Sequence, residues 1–395
     1  MADRERSIAV RWTLGVLALA GIGIAFVLGY VRRSEVRGWT AMEARVHQLT
    51  EEARHRTYTR KVLRGDPVPG NAWDEYQQAF ALLAGRPSDR DLPFEHLRRG
   101  TQCSEIRTPV AQDPSAASLF PAPQMWDNVW RYRRPDGDRD ARRKVEWLLD
   151  KCMFGADLCR NGNQALEGAG LEVCRHSLGD LRGIIVLRTI PKEFLPEVER
   201  QLEILDEAAP DPAPTRLNET AELGHKFLRD GSWESILTLQ HHRSSFDWRY
   251  AWSKRLFMID VFNRVDFWNR SVAEAAGKPW AEAELIHQRI GTELQGEPDD
   301  VWPLGVHCVA WAGWMRSTRA KVRLLRTAVH FQRTGQWLPL EDPHGSSLGH
   351  EGSVDGRLRA WSLGASGNGE PKDGAWRDPA HPGENVLLVD VEAYP

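Results

Sequence analysis

The chain reads as a mainly α protein: an N-terminal transmembrane helix, an all-α helical domain, and a small C-terminal antiparallel β module packed on the last long helix. Three observations predict this. Residues 12–31 form one uncharged apolar run, residues 138–336 place apolar side chains every three or four positions, and short strand-like alternation comes only after residue 356. The 395 residues suffice for two or three folded units. Hydrophobic residues make up 41% and charged residues 27%, which excludes both a disordered chain and a polytopic membrane protein. A formal net charge of -3 calls for no polyelectrolyte partner, nucleic acid included.

The first element is Trp12–Val31, WTLGVLALAGIGIAFVLGYV. At 1.5 Å per residue it spans about 30 Å, the thickness of a bilayer's hydrocarbon core. Trp12 and Tyr30 mark its two ends, where amphipathic rings favour the membrane interface. An uncleaved anchor is preferred to its rival, a signal peptide, because the run is long and Ala18-Leu19-Ala20 lies inside it. Gly21, Ala25 and Gly29 repeat at the small-xxx-small spacing that lets two helices approach, so a homodimer through that face is an expectation. Arg4, Arg6 and Arg11 before the span balance Arg32, Arg33 and Arg37 after it, and charge therefore codes no orientation.

Four segments follow from the pattern. Residues 1–33 are a short tail and the transmembrane helix, and 34–125 a membrane-proximal helix with a Pro-containing irregular connection over 86–125. Residues 126–302 form the all-α domain, and 303–395 a long helix plus the β module. Between 138 and 336, breaks at Ile190-Pro191, 208–215, Gly231, Gly277-Lys278-Pro279 and Glu297-Pro298 predict six or seven helices. In 246–276, Trp248, Trp252, Leu256, Ile259, Phe262, Val265, Trp268 and Val272 recur at helical spacing, as a central core helix requires. Seventeen Trp against six Tyr read as packing of this kind, with Trp248, Trp252, Trp268, Trp311 and Trp314 expected in the core. Cys103, Cys152, Cys159, Cys174 and Cys308 include no CxxC pair and read as buried thiols.

Chemistry is sparse. In 303–335 a row of Arg316, Arg319, Arg323, Arg326, His330 and Arg333 lies beside the apolar stripe Trp311, Met315, Thr318, Val322, Leu325 and Val329. Such a row either binds an anion, a lipid surface or an acidic partner, or is neutralised by carboxylates of adjacent helices. Gly345-Ser346-Ser347-Leu348-Gly349 matches G-x-S-x-G, with Asp378 and His381 following in hydrolase order. No strand–turn–helix pattern surrounds it, so an envelope hydrolase using Ser347, Asp378 and His381 is the alternative and not the main reading. His344, His350, Glu351, His381 and Asp342 lack the spacing of a zinc site, and no cofactor motif is present.

The tail carries a resemblance. Arg323-Leu324-Leu325-Arg326 through Gly335-Gln336-Trp337-Leu338-Pro339 reads as a helix ending in G-x-x-x-P. Glu341-Asp342-Pro343-His344-Gly345, Arg357–Gly364, a Gly-rich loop and Glu384–Asp390 follow. This order is similar to the C-terminal module of the major pseudopilins of type II secretion, and to single-span bacterial proteins that close a helical middle with the same tail. The resemblance covers about 75 residues. It implies a bacterial inner-membrane protein with its large C-terminal domain outside the cytoplasm and an envelope protein as partner. It also implies a calcium site, for which Ser362 and Asp390 hold matching positions while Ser366 replaces the loop Asp. The prepilin cleavage signal and the Glu five residues into the mature helix are absent, so a filament subunit is not expected. The resulting expectation is a non-catalytic scaffold, adaptor or binding module of the cell envelope, linked to a secretion or pilus-like system.

Overall fold

The computed structural model describes residues 2–84, 92–108, 141–160, 162, 164–209, 212–230, 254–295, 302–345, 347–352, 356–362 and 387–393. Ten α-helices and two three-stranded sheets lie among them. The first helix, α1 (Ala2–Arg54), is unbroken. Its residues 14–30 are exposed, and it is the one helix among those described that is long and apolar enough to cross a bilayer. Its C-terminal half is instead part of the core: Met42, Val46, Leu49 and Ala53 are buried at the i, i+3, i+4 spacing of one helix face.

Two turns after α1, β1 (Tyr58–Thr59) leads through β2 (Val68–Asn71), α2 (Ala72–Ala84) and α3 (Leu92–Gln102) to β3 (Cys103–Ile106). The sheet order is β1-β3-β2, with β1 antiparallel and β2 parallel to β3. The irregular connection expected over 86–125 is therefore corrected for residues 92–106, which are helix and strand. Pro93 does not prevent this, since it occupies the first turn of α3, where a missing N–H leaves no helical bond unmade.

The remaining helices are α4 (Ala141–Cys159), α5 (Gln164–Val186), α6 (Leu195–Glu207), α7 (Pro212–Asp230), α8 (Lys254–Ala276), α9 (Trp280–Leu294) and α10 (Trp302–Thr334). Their boundaries fall at the Pro and Gly breaks read from the sequence. The seven lie within the expected count, and an additional break separates Cys159 from Gln164. Helices α4 and α5 cross at glycines: a Cβ on Gly155 would lie 2.7 Å from the Gly170 carbonyl, and one on Gly170 would lie 2.6 Å from Cys159 Sγ. The space released there holds sulfur. Cys103, Cys152, Cys159 and Cys174 are free and buried, and burial pushes the Cys152 thiol up to about 12.

Two large apolar clusters result, with a small third of Cys159, Leu171 and Met315. The larger gathers α2 to α6, the C-terminal half of α10 and the second sheet. The smaller joins Met42 and Val46 of α1 to Phe227 of α7, Phe262 and Trp268 of α8, Ile290 of α9 and Ala312 of α10. These clusters cross the sequence-read divisions at 125/126 and 302/303, while α1 runs unbroken through the one at 33/34. Trp268 is buried as expected. Trp314, by contrast, is 42% exposed, since it sits one residue, or about 100°, off the buried Met315–Val322 stripe. Trp248 and Trp252 lie outside the described residues.

The second sheet runs β4 (Gly349–Gly352), β5 (Arg357–Ser362) and β6 (Leu387–Glu392), antiparallel throughout. Leu358 opposes Val391, and Ala360 opposes Val389. All four are buried in the same cluster as Leu324, Leu325, Ala328 and Val329 of α10. Arg359 and Asp390, one residue away on each strand, face outward.

Candidate functional site

The cationic row of α10 meets a complementary acidic row on α6, where Glu199, Glu203 and Asp206 recur at four and three residues. Arg319 Nε donates to Asp206 Oδ1 at 2.9 Å, and Arg323 Nε reaches both Asp206 oxygens at 3.0 Å. Arg326 Nη2 donates to Glu203 at 2.6 Å, while His330 and Arg333 share Glu199 at 2.8 and 3.0 Å. The row read as a possible anion or partner site is thus an interhelical ladder. Its periodicity exists because each helix keeps one polar face turned toward the other, over about two turns of α6 and about four of α10.

Arg316 stands apart. It donates to Ala275 O at 3.1 Å and Lys278 O at 2.9 Å, capping the carbonyl end of α8, and to Pro343 O at 3.0 Å. It therefore ties α8 to the turn Asp342-Pro343-His344-Gly345. That turn closes with Gly345 N–H on Asp342 O at 3.0 Å, with Pro in the second position, where its fixed φ is favourable. The Asp342 carboxylate accepts from His344 N at 2.9 Å and from the Ser362 hydroxyl at 2.9 Å, holding the last residue of β5 against the turn.

Around this turn sits a buried aromatic cluster. The Trp280 ring meets His344 edge-on at 5.2 Å and His287 at 5.7 Å, and the Arg316 guanidinium lies 5.1 Å from its centre. His344 Nε2 lies 3.3 Å from Ser317 Oγ. His344 Nδ1 and His287 Nε2 are buried without a hydrogen-bond partner. Burial, with the nearby Arg316 charge, pushes His287 down to about 4. His344 also falls to about 4 through burial, although Asp342 pulls the other way. Both rings are neutral at pH 7. A Ser–His pair is present, but the carboxylate binds the His344 backbone and leaves the ring unoriented, so the triad logic of nucleophilic catalysis is not met. His287, Trp280 and Ser317 are missed by sequence reasoning: the first two share a face of α9 seven residues apart, and only tertiary packing brings them to Ser317 of α10 and to His344.

The other sequence-read residues are dispersed. Ser347 is exposed in the turn before β4, and Asp378 and His381 lie outside the described residues. Ser362 points into the core while Asp390 is exposed on the opposite face of the sheet, so the two do not converge; Ser366 lies outside the described residues. No group of three or more potential metal ligands occurs among the described residues. Gly21 and Gly29 are open on the exposed span. Comparison with protein-family models, curated proteins and solved structures finds no match to this chain.

Proposed function

We propose that this chain is a single-pass, membrane-anchored scaffold or adaptor of the bacterial cell envelope, with its large domain outside the cytoplasm. One observation carries the reading: the apolar span and a core-forming segment are the same uninterrupted helix, Ala2–Arg54. A tether that only confines a domain to a membrane works through a flexible linker. Here Arg45 donates to Asp266 at 3.2 Å, and a Cβ on Gly224 would lie 2.1 Å from Val46 Cγ2, so α1 is wedged into α7 and α8. Anchor and domain would keep a fixed relation, which suits a part that positions an envelope partner. The ion-paired arginine row and the unoriented Ser317–His344 pair agree with a role without catalysis. The resemblance read from the order of residues in the tail is what suggests a link to a secretion or pilus-like system.

Reporter fusions test the topology. An alkaline phosphatase fused after residue 60 or at the C-terminus is expected to be active, and a green fluorescent protein at the same sites dark when exported through the general secretory route. Bright fluorescence with inactive phosphatase at both sites overturns the envelope assignment.

A further inference from the structure

A pocket of about 350 Å³ opens between the strand following α1 and the C-terminus of α6, lined by Arg60, Lys61, Arg160, Ile204, Glu207 and Ala208 among others. That volume is at the small end of ligand sites. Its charge balance is unusual. Arg60 grips Asp157 with two hydrogen bonds, Nε to Oδ1 at 2.9 Å and Nη2 to Oδ2 at 2.8 Å, and Tyr76 adds a third to Oδ2 at 2.5 Å. Arg60 further donates to the Thr101 and Gly100 carbonyls at 3.0 and 3.2 Å. Asp157 is therefore saturated and wholly buried. Arg160, three residues on, is 7% exposed and makes no ion pair with a carboxylate among the described residues; its one side-chain hydrogen bond goes to the Ala208 carbonyl. Its Nε is buried with no acceptor. Two guanidiniums thus share the neighbourhood of one carboxylate. A buried cation held only by a neutral carbonyl leaves much of its desolvation cost unmet. At the rim, Lys61 pairs with Glu207 at 2.8 Å, both exposed, and such a pair is weak enough to open.

We infer that this pocket is a binding site for a small oxyanion, a carboxylate or phosphate, held by the unsatisfied Arg160 guanidinium and completed by Lys61 once it turns from Glu207. Charge-assisted bonds to a guanidinium favour these groups, and the apolar wall of Ile204 and Ala208 accommodates a short carbon body. The site is independent of which side of the membrane the domain occupies.

The test is a titration of the full chain in detergent, at constant ionic strength set with chloride, with inorganic phosphate in one arm and succinate in the other. Saturable calorimetric binding in at least one arm is expected. The Arg160→Gln variant should lose at least tenfold in affinity and the exposed Lys61→Ala variant several-fold. The arm that saturates at lower concentration names the ligand class. Should Arg160→Gln fail to fold, Lys61→Ala decides alone, because its exposed side chain leaves the core untouched. Absence of saturation in both arms, or unchanged affinity in the variant that decides, overturns the site.

Discussion

At the scale of single residues, the molecule tolerates buried polar groups where backbone and side chain share the work. His344 shows the cost of an exception. Its backbone N–H is satisfied by Asp342, yet its ring keeps one nitrogen unpaired beside Trp280 and Arg316. An imidazole of an unfolded chain titrates near 6.5, while His287 and His344 in the fold titrate near 4. A depressed histidine favours the fold when neutral, so this stability is complete above pH 6.5 and is lost as pH falls toward 4. The full swing is on the order of 3 kcal/mol per ring. Asp150 acts in the opposite sense: burial raises it to about 6 despite Arg64, so it takes up its proton in the folded state first. With two rings against one carboxyl, the urea midpoint should fall between pH 7 and 4.5, and His287→Gln should remove most of that fall, because the remaining ring is nearly offset by Asp150. Superimposable pH profiles for the variant and the parent chain would refute the assignment.

At the scale of elements, the α6–α10 ladder predicts unequal mutational costs. Asp206 serves both Arg319 and Arg323, and Arg323 is nearly buried, so Asp206→Ala strands a desolvated guanidinium. A loss of about 2–3 kcal/mol is expected in denaturant unfolding. Arg319→Ala removes a half-exposed partner and should cost below about 1 kcal/mol. Equal losses for the two variants would mean that the ladder is not what holds the helices in register. The ladder also shows what was legible in the sequence. The α10 row was readable because Arg316 to Arg333 repeats at three and four; its destination was equally encoded in Glu199, Glu203 and Asp206 but appears only when both helices are laid side by side. Helices α8 and α10 declared themselves through long periodic stripes. The β1-β3-β2 sheet did not, because strands of two to four residues such as Val68-Pro69-Gly70-Asn71 are too short to alternate. The pocket stayed hidden for a different reason: Asp157 and Arg160 are near neighbours at the end of α4, but Arg60 and the α6 wall reach them only by tertiary contact.

At the scale of the whole molecule, the position of α1 matters more than its apolarity. Glu35 and Arg255 approach to 3.7 Å, and the Arg255 guanidinium lies 4.9 Å from the Trp39 ring centre, so the grip of the domain begins within a turn of Arg33. Between the exposed span and that grip lies about one helical turn, Tyr30 to Ser34. If the span is seated in a membrane as proposed, the helix acts as a drive shaft, with the phase of the domain about the membrane normal set by residue count. One residue inserted between Arg32 and Arg33 would rotate the domain by about 100° and lift it by about 1.5 Å. Seven would bring it back to within about 20° while raising it by roughly 10 Å. A partner that reads azimuth would lose the chain at one and recover it at seven, and a partner that reads only height would do the reverse.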